Sequence, residues 1–224
     1  MENITQDKIN EFSVLVAQDI TDKIAAGDPT MVYTLNDSEL TGLVIDLNAI
    51  SAVTNTETVA IVFNDCTFTD CTFKNLYGSP SASIRFNRCE FIGTNHNKIL
   101  NSSPKFIEIK ESKGYMLFTE DADKDPSKNI DSIHIVRCNE FSFKLDNLST
   151  YNQIIVTDSG SIEIEVDQTT PIATDPTKSI SFSNIYSDSI LTLHGGEYDI
   201  WYLGNKPNNV TITNNNATVT EKQI

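Results

Sequence analysis

The chain has 224 residues, 39% of them hydrophobic, and 31 acidic against 16 basic side chains give it a formal charge of −15 at pH 7. That balance argues against direct contact with nucleic-acid phosphates or an anionic membrane. No apolar run approaches transmembrane length, and MENITQDKIN lacks the basic and apolar regions of a signal peptide, so folding in a cytoplasm is expected, with Cys66, Cys71, Cys89 and Cys138 reduced.

The first predicted element is a helix within residues 1–28. Ile9, Phe12, Leu15, Val16, Ile20 and Ile24 fall near one helical face, and Gly27 followed by Pro29 ends it. An amphipathic helix at this place either caps the domain that follows or docks it to a partner. Residues 29–219 read as one domain and 220–224 as a tail. Within the domain, residues 31–50 form an irregular first coil, with Tyr33-x-Leu35-x-x-Ser38-x-Leu40.

From Ile61 onward one short motif recurs. Ile61-x-Phe63-x-x-Cys66 is followed by Ile84-x-Phe86-x-x-Cys89, Ile107-x-Ile109-x-x-Ser112 and Ile133-x-Ile135-x-x-Cys138. Ile154-x-Val156-x-x-Ser159, Ile180-x-Phe182-x-x-Ile185 and Val210-x-Ile212-x-x-Asn215 continue it. Alternation at period 2 means strands, and a strand returning every 21–30 residues means stacked coils. A second apolar segment follows the motif, as in Phe68–Phe73, Tyr115–Phe118, Phe141–Leu145, Ile162–Val166 and Ile190–Leu193, and forms the next side of the coil. The expected fold is all-β, a parallel β-helix of about seven coils with an N-terminal capping or docking helix.

Two columns follow from this register. Cys66, Cys89, Ser112, Cys138 and Ser159 share one phase and form a corner ladder of small inward residues, in which cysteine acts as a small hydrophobe. The position just before the corner reads Asp65, Arg88, Glu111, Arg137, Asp158, a charge ladder of alternating sign that favours this register over its neighbours.

Candidate ligand positions lie outside the ladder. Asp121, Asp123 and Asp125 alternate in an oxygen-rich loop of the kind that holds Ca²⁺, although Pro126 stands where an EF-hand loop needs glycine. No other cofactor is suggested. Tyr198, Trp201 and Tyr202 form an aromatic cluster suited to a ligand or partner surface. No nucleophile–base spacing can be argued for His96, His134 or His194, and the strand acids Glu163, Glu165 and Asp167 read as a solvated face.

The coil pattern over residues 31–219 resembles the right-handed parallel β-helix proteins, which include pectate-lyase-like enzymes, bacteriophage tailspikes and phage fibre domains. Cys66-Thr67-Phe68-Thr69-Asp70 and Cys71-Thr72-Phe73-Lys74-Asn75 also resemble two pentapeptide repeats. The resemblance implies a right-handed solenoid and, from the fibre members, a homo-oligomer, trimer favoured. The function expected is a non-enzymatic structural or adaptor protein of a virus particle, made without a signal peptide in a bacterial host cytoplasm and carried into the virion. The alternatives are a glycan-binding or glycan-cleaving module, and an acidic intracellular inhibitor. Its partners are then proteins of an assembly, with neither nucleic acid nor membrane.

Overall fold

The computed structural model of the protein describes residues 1–28, 30–53, 58–76, 82–102, 104–119, 130–146, 151–168 and 178–224. Its elements begin with β1 (Glu2–Ile4), α1 (Gln6–Ala26), β2 (Thr30–Asn36), β3 (Ser38–Thr41), β4 (Val44–Asp46), the one-turn helix α2 (Asn48–Ser51) and β5 (Thr58–Asn64). Then come β6 (Thr67–Thr69), β7 (Thr72–Lys74), β8 (Ala82–Asn87), β9 (Glu90–Ile92), β10 (Asn97–Leu100), β11 (Phe106–Lys110), β12 (Lys113–Thr119) and β13 (Ile130–Val136). The last are β14 (Asn139–Leu145), β15 (Tyr151–Thr157), β16 (Gly160–Asp167), β17 (Lys178–Ser183), β18 (Ser189–His194), β19 (Glu197–Tyr202), β20 (Val210–Asn215) and β21 (Thr218–Gln223).

These strands form a parallel β-solenoid. One sheet stacks nine strands in the order β2-β5-β8-β11-β13-β15-β17-β19-β21, and the other holds twelve along the path β1-β3-β6-β9-β12-β14-β16-β18-β20, with β4, β7 and β10 beside it. The predicted motif sets the register of the first sheet. Ile61, Ile84, Ile107, Ile133, Ile154 and Ile180 are successive partners, all fully buried. The second apolar segments build the other sheet, where Phe141, Ile162 and Phe143, Ile164, Leu191 pair in the same way.

The cross-section changes along the axis. In the early coils an αL residue, Asp70, ends one short side and the next begins at Cys71, so each of the two pentapeptide-like quintets makes one side. β9 and β10 then both dock on the single long strand β12. From there each coil has one unbroken strand in this sheet. The early core is aromatic: Phe63 stacks on Phe86 and Phe68 on Phe91, both with centroids 5.4 Å apart, and Phe73 meets Phe86 edge-on at 5.1 Å.

Three expectations need correction. The Val210 segment is β20, which pairs with β18 in the second sheet; in the first sheet its expected place is filled by β19, with Ile200 opposite Ile180 and Tyr202 opposite Phe182. Period-2 alternation is the same in both sheets, so the motif alone does not say which one a strand joins. Residues 220–223, expected in a tail, belong to β21. Leu15, expected on the buried helix face, is 69% exposed beside Val14. The buried stripe is Ile9, Ser13, Val16 and Ile20, and Ser13 holds its place by donating its hydroxyl to the Asp46 carbonyl at 3.0 Å.

α1 is the lid of the first coil. It packs against α2 and β4, and the Gln6 amide hydrogen-bonds both ways with Val44, donating to its carbonyl at 2.7 Å and accepting its N–H at 2.9 Å. Gly27 closes the helix in the αL conformation. Among the described residues no helix is long and apolar enough to cross a membrane.

The other end stops differently. In β20 and β21 the inward phase becomes partly polar: Asn214 follows Leu193, Glu221 follows Ile200 and Gln223 follows Tyr202, all three exposed, while Ile212 follows Leu191 and Val219 follows Tyr198, half-buried against the core. Glu221 accepts the Tyr202 hydroxyl at 3.0 Å, so the last buried ring meets a polar partner instead of another apolar layer.

Candidate functional site

The charge ladder sits on the bend between the two sheets. Asp65, Arg88, Glu111, Arg137 and Asp158 all adopt the left-handed conformation, with φ of 50–54°. For residues other than glycine this costs roughly 1–2 kcal/mol each. The hydrogen-bond ladder that the bend preserves offsets the cost. The N–H of Asp65 donates to Asn87 O, that of Arg88 to Lys110 O and that of Glu111 to Val136 O, each at 2.9 Å. The chain therefore turns the corner without leaving its backbone groups unpaired.

The ladder resolves into pairs. Arg88 binds Asp65 through two bonds, Nε–Oδ1 at 2.7 Å and Nη2–Oδ2 at 2.6 Å. Arg137 Nη2 lies 2.9 Å from Glu111 Oε1. Asp158 accepts from the Asn184 amide at 2.7 Å. The Arg88 guanidinium holds the Asp65 carboxyl below the usual carboxylate range.

One step further inward lies the corner ladder. Cys66, Cys89, Ser112, Cys138 and Ser159 are all at most 2% exposed. Ser112 shows why the position takes serine or cysteine. Its hydroxyl donates to Lys110 O at 2.8 Å and accepts the Cys89 N–H at 2.9 Å. Ser159 repeats this, donating to Thr157 O and accepting the Cys138 N–H. The Cys89 thiol points to the Phe63 and Asn87 carbonyls at 3.4 and 3.5 Å. A small side chain with one donor and one acceptor suits the position. All four cysteines are free thiols.

Two further ladders escaped sequence reasoning. Asn36, Asn64 and Asn87 form an amide stack at the position preceding the αL residue, linked at 2.9 and 2.8 Å. Lys113 pairs with Glu90 at 2.9 Å in the column just past the corner. Both were available as columns one position either side of those read, at fixed distance from the motif.

Between the charge ladder and the Glu90–Lys113 column runs a groove of about 430 Å³. Its walls carry Arg88, Lys113 and Arg137 with Asp65, Glu90 and Glu111, and Cys66 and Cys89 lie at its floor. Each of the three cations is already paired with one of these three acids, and Glu140 lines the groove as a fourth. A second polar cluster lies on the outer face of the twelve-stranded sheet, where Glu165 Oε1 accepts from Lys144 at 2.6 Å and lies 3.5 Å from His194 Nε2.

The aromatic cluster is divided by its strand. Tyr198 and Tyr202 point inward and are each 1% exposed, so they are core residues and offer no ligand surface. Trp201 faces outward, half-buried, with the Lys222 ammonium 4.7 Å from its ring centroid. Period 2 puts Trp201 opposite the tyrosines, and Ile200, fully buried between them, fixes which side is the core. Asp121, Asp123 and Asp125 lie outside the described residues. Among the described residues no group of three or more His, Cys, Asp or Glu side chains is arranged to hold a metal ion.

The sequence matches no known family model, no curated protein and no solved structure.

Proposed function

We propose that the chain is a non-enzymatic structural or adaptor component of a virus particle, of the fibre or tail type of bacteriophages, working as a homo-oligomer with a trimer favoured. The observation that carries the reading is the direction of its polar chemistry. The Asp65–Arg88, Glu111–Arg137, Glu90–Lys113, Lys144–Glu165 and Asp199–Lys222 pairs each join one coil to the next. So do the Asn36–Asn64–Asn87 stack and the corner hydroxyls. Charges spent on holding register stiffen a rod and are drawn away from a substrate. The resemblance of the coil pattern to phage fibre domains supports the assembly, and the exposed Val14 and Leu15 on the outer side of α1 supply an apolar contact for it.

Absolute mass by light scattering tests this. The expected result is a stable trimer that falls to a monomer when Val14 and Leu15 are both changed to serine, with circular dichroism unchanged. A wild-type chain that stays monomeric at high micromolar concentration overturns the assembly reading. Quenching of Trp201 fluorescence by members of a glycan panel moves the assignment to a glycan-binding module.

A further inference from the structure

We propose that Cys66 and Cys89 are a redox-active dithiol, closed into a disulfide between successive coils by a low-molecular-weight disulfide that enters through the corner groove. The register places them together. Asn64 pairs with Asn87 and Thr67 with Glu90, so Cys66 and Cys89, which lie between these pairs, stack directly on adjacent coils. Neighbouring parallel strands are about 4.8 Å apart, within the roughly 4.4–6.8 Å that Cα atoms of a disulfide span. The Cys89 sulfur is also turned back toward the coil that carries Cys66, at 3.4 Å from Phe63 O.

No other pair of the four cysteines shares this placement. Cys138 stands in the same column between Ser112 and Ser159. Cys71 belongs to a different corner, where its N–H donates to Asn97 Oδ1 at 2.9 Å. Cys66 and Cys89 alone among the thiols line the 430 Å³ groove, beside the Arg88–Asp65 and Lys113–Glu90 pairs. Their acidities diverge in support. The Cys89 S–H stabilises a Cys66 thiolate and holds Cys66 below the ordinary thiol value against the effect of burial, while the same contact and burial push Cys89 up. Either thiol can open the exchange as the thiolate, and the other then resolves the mixed disulfide; the sequence of steps is the same with Cys66 attacking first.

The exchange balances without another reagent. The Cys66 thiolate attacks one sulfur of the small disulfide, breaking its S–S bond and expelling a thiolate that takes up the proton Cys66 gave. Cys89 then attacks the Cys66 sulfur of the mixed disulfide and expels the second small thiolate, which receives the Cys89 proton. The protein loses two electrons, the small disulfide gains them, and two small thiols leave. Both cysteines are at most 2% exposed, so reaction waits on opening of the corner and is slower than at a surface thiol.

The test treats the full, reduced, folded chain with excess oxidised glutathione, quenches with acid, counts thiols in denaturant and maps unreduced peptides by mass spectrometry. The free thiols are expected to fall from four to two, with the Cys66 peptide joined to the Cys89 peptide. Cys89→Ser should stop at a glutathione adduct on Cys66, and Cys66→Ser at an adduct on Cys89, with no protein disulfide in either variant. Both variants fold by expectation, since serine is the native residue at Ser112 and Ser159 of the same column. Persistence of all four thiols in the folded chain, with reaction only after denaturation, overturns the proposal, as does a bridge that includes Cys71 or Cys138.

Discussion

Gly114 shows how narrowly one residue can be specified. It occupies the inward phase between Phe91 and Phe141, and those rings meet across it with centroids 6.0 Å apart. Its φ is +106°, and a Cβ there would lie 2.0 Å from the Phe91 carbonyl oxygen. Gly114→Ala is expected to cost about 3 kcal/mol or more in urea unfolding, through backbone strain and a displaced coil. Asp46 makes a pH prediction. Burial pushes its carboxyl up, but hydrogen bonds from Asn75 and the Asn48 N–H, with Lys74, outweigh that and hold it below the usual range. A depressed folded-state value means the stabilisation is fully present above the unfolded value near pH ~4 and is lost as pH falls through the folded one. Asp46→Asn should therefore lose less stability than wild type on acidification below about pH 4, measured as unfolding free energy against pH. The sequence showed the alternating signs at Asp65 through Asp158 but not their left-handed backbone. Arginine and glutamate do not announce that conformation, and the bend appears only once both sheets are placed.

At the scale of elements, the helix and the strands were legible to different depths. Six motif segments could be aligned because inward Ile and Phe recur at a fixed offset from the corner. Assigning Val210–Asn215 to a sheet was beyond that signal, because Val-x-Ile fits either inner face. Gln6 was equally invisible: a polar residue on the first turn of a helix carries no sign that it completes a strand edge 38 residues away. Gln6→Ala removes both hydrogen bonds to Val44 and leaves the β4 edge to water. The expected loss is about 1 kcal/mol, since the site is exposed, and it should appear as faster amide exchange at Val44.

The whole molecule is a stack with unlike ends. One is covered by α1, whose Ile9, Val16 and Ile20 close over the first coil. At the other, the last coil mixes the half-buried Ile212 and Val219 with Asn214, Glu221 and Gln223 in its inward phase. Solenoids need capped ends because an open apolar coil recruits another. Here α1 covers one end by burial, and the three polar residues make the last described coil less apolar inside than those before it. The architecture can be read from repetition; the polar residues of the last coil cannot, because Val-x-Ile does not say which sheet Val210–Asn215 joins and residues 220–223 carry no apolar alternation that marks a strand.

The aromatic stacking has a consequence for how the molecule comes apart. Phe63, Phe68, Phe73, Phe86 and Phe91 interlock beneath the lidded end, whereas Ile212 and Val219 at the far end are only half-buried. Adjacent coils stabilise only one another, so loss of order should travel like a zipper, from β21 back toward β5. Amide hydrogen exchange followed coil by coil should show protection rising from β21 and β19 to β8 and β5. A pulling experiment should find a hard end and a soft end on one rod, giving the molecule a direction of failure that its repeating register conceals.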